Sequence, residues 1–231
     1  MLIHGSAADH TTWSIQLASS LRERFTLIAY DRRATGSIED HADDAIALLA
    51  DSPEPALVVG SSFGAVVALE VARRAAIAGA VFIEPPMGSS DATASAAAAF
   101  LDAYDRRLAE QGGRAAAEMF LRTVLGDAAF ERMPHVYRDR ACSKFAEIRA
   151  DSAALIAYRP RYAELALVAT PILLLGGDRS AAYFRPTLEA LLAALPAARL
   201  EIVPHAGHML HAEAHRRFAE LVTEFAALIR R

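Results

Sequence analysis

Cysteine is almost missing from this chain: Cys142 stands alone in 231 residues. No internal disulfide can form, and a chain of this length buries enough apolar surface to need neither a disulfide nor a metal staple. A reducing cytoplasm is therefore the expected compartment. Lysine is equally scarce, with Lys144 the only one beside 23 arginines. Long hydrophobic runs are absent too, and nothing approaches the ~20 uninterrupted apolar residues of a membrane span. No basic stretch leading into an apolar one opens the chain, so no signal peptide is expected. Nor is there a large excess of one charge: 28 acids face 24 bases, a net charge of −4. The bases are scattered among acids, which argues against a nucleic-acid partner. What is plentiful is apolar side chain, 54% of the residues, with 52 alanines. That content excludes a disordered chain. The alanine and arginine excess reads as genomic composition bias.

Short apolar runs alternate with helical patterns. The predicted strands are Met1–His4, Phe25–Tyr30, Ala56–Gly60, Gly79–Glu84, Pro171–Gly176 and Arg199–Val203. Each is nearly continuous in apolar character, as strands covered on both faces should be. Helical patterns fall near Thr12–Arg22, Asp40–Leu49, Gly64–Ala75, Pro186–Leu195 and Glu213–Ile229. Alternation of this kind predicts an α/β fold, a doubly wound and mainly parallel sheet of about six strands.

Between Pro85 and Ala169 the rhythm breaks, and no strand pattern occurs. Phe100, Leu101, Tyr104 and Leu108 sit at helical spacing, as do Met119, Phe120, Thr123 and Val124. The expectation is a core of residues 1–85 and 170–231, interrupted by a helical insertion over 86–169. Ligands in open α/β sheets sit beyond the carboxyl ends of the strands, so the insertion is expected to act as a lid there. Phe100, Tyr104, Phe120 and Tyr137 are its expected pocket-facing residues.

The strongest local signal is Gly60-Ser61-Ser62-Phe63-Gly64, between a predicted strand and a predicted helix. A random Gly-x-Ser-x-Gly is expected only about 0.04 times in a chain of this composition. In a tight strand-to-helix turn the two glycines avoid collisions, Ser62 stands above the sheet, and the N–H of Phe63 points at a reacting oxygen. A hydroxyl needs a base to act as nucleophile. His208, just past the last strand in His205-Ala206-Gly207-His208, is the candidate. His205, His211 and His215 are expected at the surface or facing the lid. No acid or cysteine completes a metal-ligand spacing around them, so no metal is expected.

With these residues in place, the chain resembles the α/β-hydrolase superfamily. The matching motifs are His4-Gly5-Ser6, Asp31-Arg32-Arg33, Gly60–Gly64 and Gly207-His208, in family order. The resemblance implies strand order 2-1-3-4-5-6, without the antiparallel hairpin that usually precedes the His-Gly strand. It implies that the N–H of Ser6 is a second oxyanion donor beside that of Phe63, with His4 bracing the loop. It also implies a carboxylate for His208. The usual family position falls on Ser180, with Asp178 two residues early. A second family position falls on Glu84, which directly follows the run Ala80–Ile83. Glu84 is the preferred acid and Asp178 the alternative. The activity implied is a cofactor-independent serine hydrolase acting on an ester-like bond of a small molecule. Carboxylesterase is the default, and lactonase, thioesterase or carbon–carbon hydrolase use the same parts. A non-hydrolytic cyclase or lyase, or a non-catalytic ligand-binding protein, is the alternative on this fold. The substrate and the oligomeric state have no signal in the sequence.

Overall fold

The computed structural model describes residues 1–88, 91–158 and 162–229. Five strands, β1 (Leu2–Ile3), β2 (Leu57–Ser61), β3 (Gly79–Ile83), β4 (Ile172–Gly177) and β5 (Ala198–Val203), form one sheet in that order. Every pairing is parallel. The predicted strand Phe25–Tyr30 does not form. It takes the expected outer place beside β1, but as a single parallel bridge between Leu2 and Ala29, with the Leu2 N–H donating to the Ile28 carbonyl at 2.7 Å. A two-residue β1 offers too short an edge for a longer ladder.

Helices α1 (Ser14–Leu17) and α2 (Ile38–Leu49) precede β2, and α3 (Phe63–Arg74) follows it. Helices α4 (Asp91–Leu125), α5 (Asp127–Arg132), α6 (His135–Ser143), α7 (Phe145–Ala157) and α8 (Tyr162–Leu165) lie between β3 and β4. Helix α9 (Phe184–Ala194) joins β4 to β5, and α10 (Leu210–Glu213) and α11 (His215–Ile229) close the chain. The predicted helix Thr12–Arg22 is instead α1 between two 3₁₀ turns, His10–Trp13 and Ser20–Glu23. Ser19 accepts the Leu21 N–H and so starts the second turn afresh.

Alternate residues of each strand enter opposite cores. Ile3, Val58, Phe82 and Leu174 pack with Ala42, Leu69 and Leu188 of α2, α3 and α9. Leu2, Val59, Val81 and Leu173 pack with Trp13 and with Phe218, Val222 and Phe225 of α11. Both faces of β1 to β4 are covered, which is why those strands lack polar alternation; β5, expected to be nearly continuous in apolar character, instead alternates, with Arg199 and Glu201 exposed at the sheet's outer strand. The α4–α7 region has a smaller core of its own, built on Tyr104, Leu121, Phe130, Cys142 and Ile148. Helix α4 bends at Gly112 (φ 83°, ψ 171°), a conformation open to glycine.

Four non-glycine residues have positive φ among those described: Ala7, Ser62, Glu84 and His205. They follow β1, β2, β3 and β5, so the strain lies along one edge of the sheet. Such residues cost roughly 1–3 kcal/mol each and persist only where their surroundings hold them.

Candidate active site

Strand β2 ends at Ser61 and α3 begins at Phe63, so Ser62 alone makes the turn, at φ 53° and ψ −122°. Its N–H donates to the Ile83 carbonyl at 2.8 Å, which ties it to the end of β3. A Cβ on Gly60 would lie 2.1 Å from the Gly64 carbonyl oxygen, and one on Gly64 would lie 2.4 Å from that of Ile3. Neither glycine can be replaced without moving backbone. The Phe63 N–H opens α3 and has no acceptor within that helix.

Glu84 follows β3 directly and is 1% exposed. Its Oε2 lies 2.6 Å from His208 Nδ1, and its Oε1 accepts the Gly177 N–H at 2.7 Å. A carboxylate accepts only, so the imidazole proton sits on Nδ1 and Nε2 is left as a bare base. The Phe184 ring stacks on His208 at 4.4 Å and 11°, fixing the plane of the imidazole. Asp178 is exposed, and its backbone N–H is bonded to the Val203 carbonyl at 3.2 Å. No hydrogen bond joins its carboxylate to His208 among the described residues.

The Ser6 hydroxyl donates to Asp151 Oδ2 of α7 at 2.7 Å. Arg32 holds the same carboxylate with both terminal nitrogens, at 2.8 and 3.2 Å, and this ion pair is buried. Arg32 also donates to the carbonyls of His4 and Gly5 and lies over the Phe63 ring, 4.3 Å from its centroid. His4 donates from Nδ1 to the Gly5 carbonyl and accepts the Arg32 N–H at Nε2. Burial, then the Arg32 charge, pushes its pKa down to about 4, so it is a neutral brace.

Ser6 and Ser62 open into one cavity of about 360 Å³. Phe100, Phe120, Leu155 and Phe184 contribute to its wall. Two expected pocket residues lie elsewhere. Tyr104 is fully buried in the insertion's own core, where its hydroxyl donates to the Phe145 carbonyl at 2.8 Å. Tyr137 is 60% exposed on α6. The helical spacing that singled them out reports a helix face, which here turns to the insertion's interior or to solvent.

The sequence matches the alpha/beta hydrolase family over residues 1–221. The chain belongs to that family. No curated protein matches it by sequence. Among solved structures, an esterase from Thermogutta terrifontis is 24% identical with a TM-score of 0.79, covering 99% of this chain and 89% of its own. MenH from S. aureus is 17% identical with a TM-score of 0.81, covering 100% and 93%. The enol-lactonase from Burkholderia xenovorans is 21% identical with a TM-score of 0.80, covering 98% and 90%. At these identities the likeness is one of fold.

In this alpha/beta hydrolase three features had little voice in the sequence. The first is the Arg32–Asp151 pair; its one signal is an acid set between Ile148 and Ala154 on the buried side of α7. The second is Phe184 on His208. The third is His211, expected at the surface or facing the lid but buried against Trp13, with ring centroids 4.6 Å apart. Its carbonyl is held by the Gln16 side chain, which draws the ring inward. His205 and His215 are exposed, as expected. Asp9, His10 and Asp31 have ligand atoms within 4.8 Å of one another. Asp9 is already bonded to Thr11 and Arg140, and His10 to Asp31, so protein partners occupy that cluster. No helix among the described residues is long and apolar enough to cross a membrane.

Proposed function

We propose that this chain is a serine hydrolase that cleaves an ester-like bond of a small molecule through an acyl-enzyme. Ser62 Oγ attacks the carbonyl carbon while His208 Nε2 takes its proton. Glu84 keeps the other ring proton on Nδ1 and stabilises the imidazolium. The N–H groups of Ser6 and Phe63 receive the developing oxyanion. As the carbonyl re-forms, the alcohol leaves with the proton from His208. Water then attacks the acyl group, giving its proton to His208, and the acid is released as Ser62 recovers its hydrogen.

Two observations carry this reading together: the contact of Glu84 with His208 and a strained Ser62 that opens on a cavity. We read residues 1–85 and 170–231 as the hydrolase core and 86–169 as a lid that walls the site. Cys142 is free and buried, which suits a cytoplasmic protein. The test is labelling by a fluorophosphonate probe together with ester hydrolysis. The native protein should take one label, on Ser62, and turn over; Ser62→Ala should do neither while keeping its Tm. Hydrolysis unchanged in Ser62→Ala would overturn the mechanism. Labelling without hydrolysis of any ester would favour non-hydrolytic chemistry at the same serine.

A further inference from the structure

The cavity in front of Ser62 has a largely apolar wall. None of its described lining residues is Asp, Glu, Lys, Arg or His. Several carry hydroxyls, but these are already spent within the protein. Thr123 donates to the Met119 carbonyl at 2.8 Å and Ser152 to that of Ile148 at 2.8 Å. Thr187 donates to the Met87 carbonyl at 3.1 Å, and Ser6 to Asp151 at 2.7 Å. Ser62 and Tyr183 are the remaining hydroxyl side chains of the described wall. The rest is hydrocarbon, supplied by residues such as Phe100, Phe120, Val124 and Leu155.

Such a chamber discriminates by charge. An ionised group brought into it sheds water and, among the described wall residues, finds no counter-ion and no side-chain donor beyond the Ser62 and Tyr183 hydroxyls, which is strongly unfavourable. An apolar chain gains roughly 25 cal/mol for each Å² it removes from water.

We infer that the substrate is a neutral ester or lactone with an apolar acyl part and no ionised group inside the chamber. This rests on the reading of Ser62 as nucleophile. Its single carbonyl meets Ser62, and the remainder lies against the phenylalanines of α4 and the aliphatic side of α7.

The test compares methyl hexanoate with monomethyl adipate, which has a similar chain but ends in a carboxylate. We expect kcat/KM for methyl hexanoate to exceed that for monomethyl adipate by about 100-fold or more, the scale of an unpaired buried charge. Ala97→Arg puts a cation at the wall from an exposed position of α4 and should narrow that ratio at least tenfold, with Tm unchanged. Equal or better use of monomethyl adipate by the native enzyme would overturn the inference. A protein that neither takes a fluorophosphonate nor hydrolyses any ester would instead sink the nucleophile reading. The chamber is then judged by ligand-induced Tm shifts of Ser62→Ala. A larger shift with methyl hexanoate supports its apolar selectivity, and an equal or larger shift with monomethyl adipate overturns it.

Discussion

In the sheet, Val58, Val59, Ala80, Val81, Leu173 and Leu174 are all at most 3% exposed, and helices cover them on both sides. In the insertion, most of α4 from 94 to 111 is partly or fully exposed, and the buried cluster is small. Its helices are joined at the surface by arginine–carboxylate pairs, Arg114–Asp139, Arg122–Glu131 and Arg149–Asp105 among them. Exposed pairs of this kind contribute about 0–1 kcal/mol each. The two regions therefore divide the work. The candidate reacting groups sit on strained turns gripped by a dense core, where small displacements are opposed. The cavity wall draws on the looser region, where a side chain can change at low cost.

The sharpest way to break this division is to remove charge from the rigid side. Glu84→Gln keeps the shape of the residue that holds His208 and should lower kcat on the order of 10⁴-fold, the scale of an amide replacement in another triad. Asp178→Asn, on an exposed turn nearby, should leave kcat nearly unchanged. Steady-state kinetics on one ester decides it, and a larger loss at Asp178 would reverse the assignment.

A second comparison lies within α7. Asp151→Asn abandons Arg32 in a buried site and should cost about 3–5 kcal/mol by denaturant unfolding. Arg149→Gln breaks an exposed pair on the same helix and should cost under about 1 kcal/mol. Equal costs would mean that the link between insertion and sheet is no stronger than a surface contact.

Acid offers a smaller and graded test. Burial, ahead of nearby positive charge, pushes His4 and His41 down to about 4 and His211 to about 3. All three belong to the sheet region. An unfolded histidine titrates near 6.5, so below that pH the unfolded chain binds protons that the folded one refuses. The stabilisation is complete above pH 6.5 and is lost as pH falls from 6.5 towards 4, by up to about 1.4 kcal/mol per unit for each fully buried histidine. Hydrogen exchange at pH 7.5 and pH 5 should show sheet amides losing protection relative to those of the insertion. The opposite order would contradict the account.

Much of the architecture was legible because it follows local rules. Apolar runs marked β1 to β4, and the spacing of Gly60, Ser62 and Gly64 marked a turn that backbone sterics nearly dictate. Phe25–Tyr30 misled because its β propensity was real but its partner edge was two residues long. Tyr104 and Tyr137 misled because periodicity shows which residues share a helix face, not what that face meets. Glu84 could be weighed from its place at a strand end. The contacts of Arg32 with Asp151 and of Phe184 with His208 arise only when distant segments fold together, and no local pattern announces them.

Ser6, Arg32 and Asp151 also bear on how far this fold can be taken apart and reassembled. Asp151 lies 145 residues from Ser6 and 119 from Arg32, yet the three meet in one buried knot. A segment grafted from another hydrolase in place of residues 86–169 would leave Arg32 with its charge stranded. To be accepted, the transplant must carry an acid at the place of Asp151 or be accompanied by an apolar residue in place of Arg32. Asp151 is thus the position that any such transplant must match, and it lies against the loop that carries Ser6.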